Sequence, residues 1–359
     1  METVTRSRER ARNSVKATMP TIRDVAALAQ VSVGTASRVL SGSPSTSNGS
    51  RERVTLAART LGYRANAQAR SLRSARTGVI GLLVSDVRNP FFADVAHAAE
   101  QAALRDRYVT LLANANEDTA QQDRYLETFI SQRVDGMIIA PQGEGGGNLR
   151  AVADQNIPMV FVDRTVDGFD VPSVTTDSAQ GMEQAISHLV ERGHSRIGYI
   201  GGPQSVSTGR ARYEAYRHGI RTRGFEDDPD LVYLGDFKSG SGIEAAATLL
   251  SRRRPPTALL AADSPMAVGA LSFLHRQGVH IGTDIGLVAF DDVEWFAHMD
   301  PPLTVIAHDA EAMGRIAMEL LLDVIRGERP ESVLLPTRLI IRTSSGSRRA
   351  ATDSATLQA

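Results

Sequence analysis

Residues 21–41 read TIRDVAALAQVSVGTASRVLS. Thr21 is placed to cap a helix, with Asp24 at the third helical position completing a short capping box. Ile22, Val25, Ala26 and Ala29 fall at i, i+3, i+4 and i+7, so one face of that helix is apolar. Gln30-Val31 interrupts the pattern, and Ser32 can cap a second helix, with Thr35 three residues on. Ala36, Val39 and Leu40 form the buried side of the second helix. Ser32, Val33, Gly34, Thr35 and Arg38 remain on its other face. They are small or basic, as a helix lying in a DNA major groove requires.

Extended by Gly42, the stretch carries the order D-V-A-x-x-A-x-V-S-x-x-T-x-S-R-V-L. It resembles the helix-turn-helix of the lactose/galactose repressor family of bacterial transcription factors. The resemblance continues over about residues 20 to 343. It implies base or phosphate contacts for Thr21, Ser32, Val33, Gly34, Thr35, Ser37, Arg38, Ser47, Tyr63 and Asn66.

Charge is divided unevenly along the 359 residues. Residues 1–77 hold 14 Lys+Arg against 4 Asp+Glu, and the remainder 26 against 37, so a head of +10 precedes a body of −11. Phosphate neutralisation supplies most non-specific affinity for nucleic acid, and a basic head fits that role. Arg51, Arg53, Arg64, Arg70 and Arg73 lie in patterned segments. The chain has no cysteine, which excludes disulfides, thiolate metal sites and cysteine nucleophiles. No apolar run approaches the roughly 18 residues of a membrane span. Residues 1–20 lack the apolar centre of a signal peptide, so a cytoplasmic location is expected.

After a loop, GSPSTSNGS, Ser47 can cap a third helix running to about Leu61. Val54, Ala57, Ala58 and Leu61 would cover the first two helices. Relatives often have an apolar residue where this chain has Thr46, so the usual hydrophobic staple is missing. Residues 65–77 are the hinge that the resemblance implies. There Leu72 matches a leucine that wedges into the minor groove, and Arg70 and Arg73 would follow the backbone. An ordinary linker is the plainer reading of the same residues, and Gln68 stands where relatives often have the Val that packs hinge on hinge.

From Gly78 strands and helices alternate. Strands are expected at 79–84, 108–115, 136–140, 158–163, 196–202, 231–236, 257–262 and 285–290. Such alternation predicts parallel sheets covered by helices, and the strand count favours two sheets over one. The expected fold class is α/β. A three-helix headpiece (20–64) and a hinge helix (65–77) precede a two-subdomain core (78–343) of doubly wound parallel sheets, like a periplasmic binding protein. The subdomains are expected at about 78–176 with 305–332 and about 177–304 with 333–343. Residues 1–19 are expected to form a disordered basic arm and 344–359 a disordered tail.

In open α/β sheets ligands bind beyond the carboxyl ends of strands. After 79–84 stands SDVRNPFF, similar to the family's opening motif, with Asp86, Phe91 and Phe92; the aromatics are alternatively core residues heading a helix. Asp163 follows 158–163. Arg212 matches a family arginine that reaches the ligand, and its donor fork suits two oxygens at once. Phe237 matches an aromatic packed on the effector, Asp291 the ligand-binding aspartate, and Trp295 could cover a ring face. Relatives usually carry Asn before Asp263, where this chain has Ala262. Asp291 and Asp292 are adjacent carboxylates, but neighbours on an extended segment point to opposite sides, which counts against acid–base catalysis. His188 and His194 read as helix termination. No triad, metal-binding His pair or phosphate loop is evident, so no cofactor, no metal and no enzyme activity are expected. The expected function is a DNA-binding repressor, homodimeric for want of a heptad tail, answering to a small effector. The effector favoured is a sugar, with a purine as competitor. The rival reading is a soluble sugar-binding or sugar-modifying protein using the core fold alone.

Overall fold

The computed structural model describes residues 20–63 and 76–346. The arm, most of the hinge and residues 347–359 lie outside these, and with them Asn66, Arg70, Leu72 and Arg73. The chain divides into two units, Met1–Thr77 and Gly78–Ala359.

In the first unit α1 (Ile22–Leu28), α2 (Val33–Leu40) and α3 (Asn48–Leu61) pack around Val25, Ala26, Ala29, Ala36, Val39, Val54, Ala57 and Ala58. These are the residues at helical spacing. Asp24 accepts the Thr21 N–H at 2.7 Å. Ser32 and Ser47 accept the N–H groups of Thr35 and Ser50, satisfying amides that a helix start leaves without partners. A polar clasp stands in for the absent staple: Thr46 donates to the Ser43 carbonyl at 3.2 Å, and Arg51 reaches both residues. Gly62 ends α3 at φ +63°, a left-handed conformation that glycine adopts without steric cost.

The second unit holds two six-stranded sheets. Its strands are β1 (Val79–Val84), β2 (Val109–Asn114), β3 (Gly136–Ile139), β4 (Met159–Val162), β5 (Ser173–Thr176), β6 (Ile197–Gly201), β7 (Val232–Leu234), β8 (Ala258–Ala261), β9 (Gly286–Phe290), β10 (Thr304–Ala307), β11 (Val333–Leu335) and β12 (Arg338–Ile340). Its helices are α4 (Pro90–Arg105), α5 (Thr119–Gln132), α6 (Asn148–Asp154), α7 (Ser178–Glu191), α8 (Ser207–Thr222), α9 (Ser239–Leu250), α10 (Ser264–Arg276) and α11 (Ala310–Ile325). Sheet order is β11-β5-β4-β3-β1-β2 in the first subdomain and β12-β10-β9-β8-β6-β7 in the second. Every pairing is parallel except β10 with β12. Central strands such as GMII, MVFV and GLVAF are buried throughout, as strands covered by helices on both faces must be. In each sheet the order reverses beside the first strand, between β1 and β3 and between β6 and β8. That switch point opens a crevice at the strands' carboxyl ends.

Three corrections follow. Strands β5, β10, β11 and β12 were not expected; each has only three or four residues, too few to show an alternation. The subdomain crossings move as a result: 304–307 lies in the second sheet, not the first, and 333–335 lies in the first, not the second. Nor does the tail begin at Ser344. Ser344 is buried, accepts the Thr304 N–H and donates to the Leu287 carbonyl, both at 2.7 Å. His194 Nε2 lies 3.0 Å from the Ser345 carbonyl and His188 Nε2 lies 2.8 Å from its hydroxyl, so both histidines anchor this segment.

The chain therefore passes between subdomains three times: after β5, between β10 and α11, and between β11 and β12. The outer two passages are tied together, since Thr337 donates to the Asp177 carbonyl at 2.6 Å and accepts the Gly181 N–H at 2.8 Å. His308 lies on the middle passage.

Candidate functional site

On the headpiece, Ser32, Val33, Gly34 and Arg38 are exposed, and Thr35 and Ser37 are half-buried. α2 buries Ala36 and Val39 and turns this other face to solvent. Val33 is 41% exposed, an apolar side chain without cover. Thr35 and Ser32 hydroxyls lie 2.9 Å apart, so the cap positions both. Arg23, Arg38, Arg51, Arg53 and Arg59 are all exposed. Tyr63 packs against the headpiece core, as expected from its position after α3.

In the second unit the strand ends converge on a small inner chamber of about 20 Å³, lined by Asn89, Phe91, Phe92, Glu117, Asp163, Arg164, Thr208, Arg212, Phe237, Asp263 and Asp291. That is room for about one water. Seven of the nine residues expected around an effector line it. The other two acidic and aromatic positions, Asp86 and Trp295, line an adjoining outer chamber of about 300 Å³, together with Phe237. Trp295 is 43% exposed, so it is not core. Asp291 faces the inner chamber, whereas Asp292 points away and pairs with Arg342 at 2.8 Å.

The backbone here is unusual. Asn116, Glu117, Asp163, Phe237 and Asp291 all have φ between +54° and +71°. Such conformations cost a non-glycine residue of order 1–3 kcal/mol and persist where the surrounding structure enforces them, commonly at functional sites. Each falls just beyond a strand, where the left-handed residue turns its side chain into the crevice. Phe237 additionally depends on Gly202, where an added Cβ would come within 2.0 Å of its ring.

The charges form a connected set. Arg164 donates from both terminal nitrogens to Glu117 at 2.8 Å and from Nη1 to Gln142, while its Nε lies 3.6 Å from Asp163. Arg212 donates to the Ala262 carbonyl at 2.6 Å, lies 3.8 Å over the Phe290 ring, and is 3.9 Å from Asp163. The missing Asn at 262 is thus met by a backbone acceptor that the arginine uses. Ser264 bonds Asp291 at 2.8 Å and lies 3.1 Å from Asn89 across the crevice. His308 Nε2 lies 2.9 Å from Asp291 and its ring stacks on Phe91. Several buried polar atoms have no hydrogen-bond partner: Asp163 Oδ1, Arg164 Nε, Thr208 Oγ1, Arg212 Nε and His308 Nδ1.

Burial raises the Asp163 carboxyl above its ordinary range, with Arg212 and Arg164 opposing. Burial raises Asp263 further, reinforced by Asp291 and opposed by the Met266 N–H it caps. At Asp291 burial acts upward too, but the His308 hydrogen bond, its charge, and Arg212 outweigh it and hold the carboxyl low. A carboxyl raised in the folded state binds more protons folded than unfolded. Asp263 therefore favours folding at low pH and loses that contribution as pH rises above its ordinary value of 3.8. Asp263→Asn keeps the cap on Met266 and removes the buried charge. It should gain about 1 kcal/mol or more at neutral pH and show a shallower fall of stability from acid to neutral pH. Urea unfolding at both pH values measures this, and parallel pH profiles for the two proteins would refute it.

Sequence reasoning missed Glu117, Thr208 and His308, and left Arg164, beside Asp163 at the strand end, without a role. Glu117 lies three residues beyond the β2 end, within the stretch the strand-end rule covers. His308 directly follows β10, a strand of four residues that was not expected.

Comparison with known proteins adds the following. Residues 21–66 match the model of bacterial regulatory proteins, lacI family, and residues 186–345 that of a periplasmic binding protein-like domain. The HTH-type transcriptional repressor CytR of Escherichia coli (strain K12) is 33% identical over 335 residues, covering 91% of this chain and 97% of its own. A solved complex of the transcriptional regulator CelR with cellobiose superposes at TM-score 0.69 with 33% identity, covering 90% of this chain and 99% of that one. The Lac repressor dimer bound to operator and the anti-inducer ONPF superposes at TM-score 0.79 with 27% identity, covering 91% and 99%.

Proposed function

Since the chain belongs to the lacI family of bacterial regulatory proteins, we propose that this DNA-binding transcriptional regulator is a homodimeric repressor that answers to a sugar or sugar derivative bound in the core crevice. The observation that carries the effector class is the mixture of unmatched buried groups around the inner chamber: donors on Arg164 and Arg212, an acceptor on Asp163, and the Thr208 hydroxyl, which is both. Buried polar groups normally have partners. A polyol offers a donor and an acceptor on nearly every carbon and can meet all of them. Four carboxylates (Glu117, Asp163, Asp263, Asp291) face two arginines, which disfavours a multiply phosphorylated ligand. Phe91 and Phe237 offer flat faces for the C–H side of a ring. The exposed apolar residues Val109, Leu111 and Leu112 on the edge strand β2 support self-association.

In this reading residues 20–64 read a half-site and 65–77 form the hinge, with Leu72 entering the minor groove. The core is 78–346. Its inner chamber is too small for a sugar as it stands, so the crevice opens and closes by rotation about the three crossings, and ligand and operator bias one two-state element. A thermal-shift panel of sugars and purines on the full chain tests the effector class, since a ligand that binds only the folded state raises Tm by mass action. A sugar should raise Tm and alter retardation of operator-bearing fragments in a gel. Stabilisation by purines alone would reject it.

A further inference from the structure

The two walls of the crevice hold each other by direct contacts. In the first subdomain Thr165 stands just beyond Asp163 and Arg164. Its N–H is accepted at 2.9 Å by the hydroxyl of Ser207, the first residue of α8 in the second subdomain. Further along α8, Arg212 lies 3.9 Å from Asp163. Arg164 sits 5.3 Å over the Phe237 ring. Ser264 meets Asn89 at 3.1 Å, but its single hydroxyl proton also serves Asp291 at 2.8 Å. Thr165–Ser207 is the shortest of these four contacts.

The contacts compete with water. Asp163 Oδ1, Arg164 Nε, Thr208 Oγ1 and Arg212 Nε are buried without a hydrogen-bond partner. Each loses its hydration when the walls meet, and a buried polar group left unsatisfied costs more than one hydrogen bond returns. The closed arrangement therefore depends on the bonds that do cross. Without the Ser207 hydroxyl, the Thr165 N–H would join the unmatched groups in the closed form, whereas water would meet it in the open one.

The same arrangement excludes a ligand. The inner chamber of about 20 Å³ has room for about one water, so an organic effector has to part the walls before it enters. We infer that Ser207 is a latch: its bond to Thr165 holds the crevice shut against the effector, so that latch and effector exclude each other. The apparent affinity then scales with the fraction of molecules whose crevice is open. The inference rests on the reading of this crevice as an effector site and adds what regulates it. Ser207 borders neither the inner nor the outer chamber, so its influence on a ligand runs through the latch and not through contact.

Ser207→Ala and Ser207→Thr are compared with the wild-type full chain. Trp295, the chain's single tryptophan, borders the outer chamber together with Asn89 and Pro90 of the facing wall, so parting the walls uncovers it. With no ligand added, acrylamide should quench its emission more efficiently in Ser207→Ala. Ser207→Thr, which keeps the hydroxyl, should match wild type. A cooperative melting transition in Ser207→Ala separates opening from unfolding. Glucose, galactose, ribose and adenosine are then titrated into all three proteins by calorimetry. Any that binds should bind Ser207→Ala about three- to tenfold tighter, the worth of one hydrogen bond, and Ser207→Thr as wild type. Equal quenching of Ser207→Ala and wild type would overturn the latch. So would a probe that Ser207→Ala binds no more tightly, and a sugar that binds in either case leaves the sugar reading intact. Stronger quenching of Ser207→Ala, with no probe binding any of the three proteins, would support the latch and reject the sugar reading.

Discussion

Operator affinity should fall about 10³- to 10⁵-fold between 50 and 200 mM salt, if two headpieces together neutralise about 6–10 phosphates. Five arginines on the described part of each headpiece, Arg23, Arg38, Arg51, Arg53 and Arg59, are exposed, and their remaining N–H donors can reach a phosphate backbone. A log–log plot of the binding constant against salt measures the number engaged, and a flat line would reject this interface. Specificity is carried separately. Thr35 lies on the solvent face of α2 with its N–H accepted by Ser32, so Thr35→Ala leaves the cap in place. It should re-rank operator variants by about 1–3 kcal/mol at the base it meets. Tyr63→Phe, by contrast, should weaken all of them alike. If both substitutions acted uniformly, α2 would not be the reading helix.

Arg212→Ala should abolish the effector response and destabilise the core by about 3–5 kcal/mol, the cost of breaking a buried charge pair. The side chain does three things at once. It donates to the Ala262 carbonyl, covers the Phe290 ring, and supplies the strongest opposition to the desolvation of Asp163. Removing it leaves that carbonyl without its donor, opens a void over Phe290, and strands Asp163. Arg212→Lys keeps a charge but loses the planar fork, and should recover stability more than ligand binding. Arg88→Ala, which alters an exposed arginine at the rim, should change stability by well under 1 kcal/mol. Chemical denaturation checks all three. A loss below about 1 kcal/mol for Arg212→Ala would mean that the charge network contributes little to folding.

The headpiece was legible almost residue by residue, because α1, α2 and α3 are amphipathic and their caps are local. Val25, Ala26, Ala36, Val39 and Val54 could be assigned to the core by spacing alone. The buried strands β1 and β9, of six and five residues, were equally plain. What escaped was short or non-local. The segments 173–176, 304–307, 333–335 and 338–340 pair with strands far away in sequence, and nothing in three or four residues announces that. His308 was lost with one of them. Asp163, Arg212 and Asp291 were found through strand ends and resemblance. The Arg164–Glu117 pair could not be, because it joins residues 47 apart through side chains alone. Trp295 was placed near a ring, but its separation from the inner chamber depends on the turn that carries it.

The threefold passage between subdomains has a consequence for how this chain is made. The first sheet is opened by β1 through β5, but its edge strand β11 and helix α11 come after every strand of the second sheet except β12. Met313, Ala317, Met318 and Leu321 of α11 pack onto the same face as Ile80, Leu82, Val160 and Val162. During synthesis that face emerges without its cover and must wait for well over a hundred further residues. A nascent chain paused inside the second subdomain therefore displays the apolar surface on which chaperones act and aggregates start. Neither subdomain can be completed from the ribosome before the other is largely present.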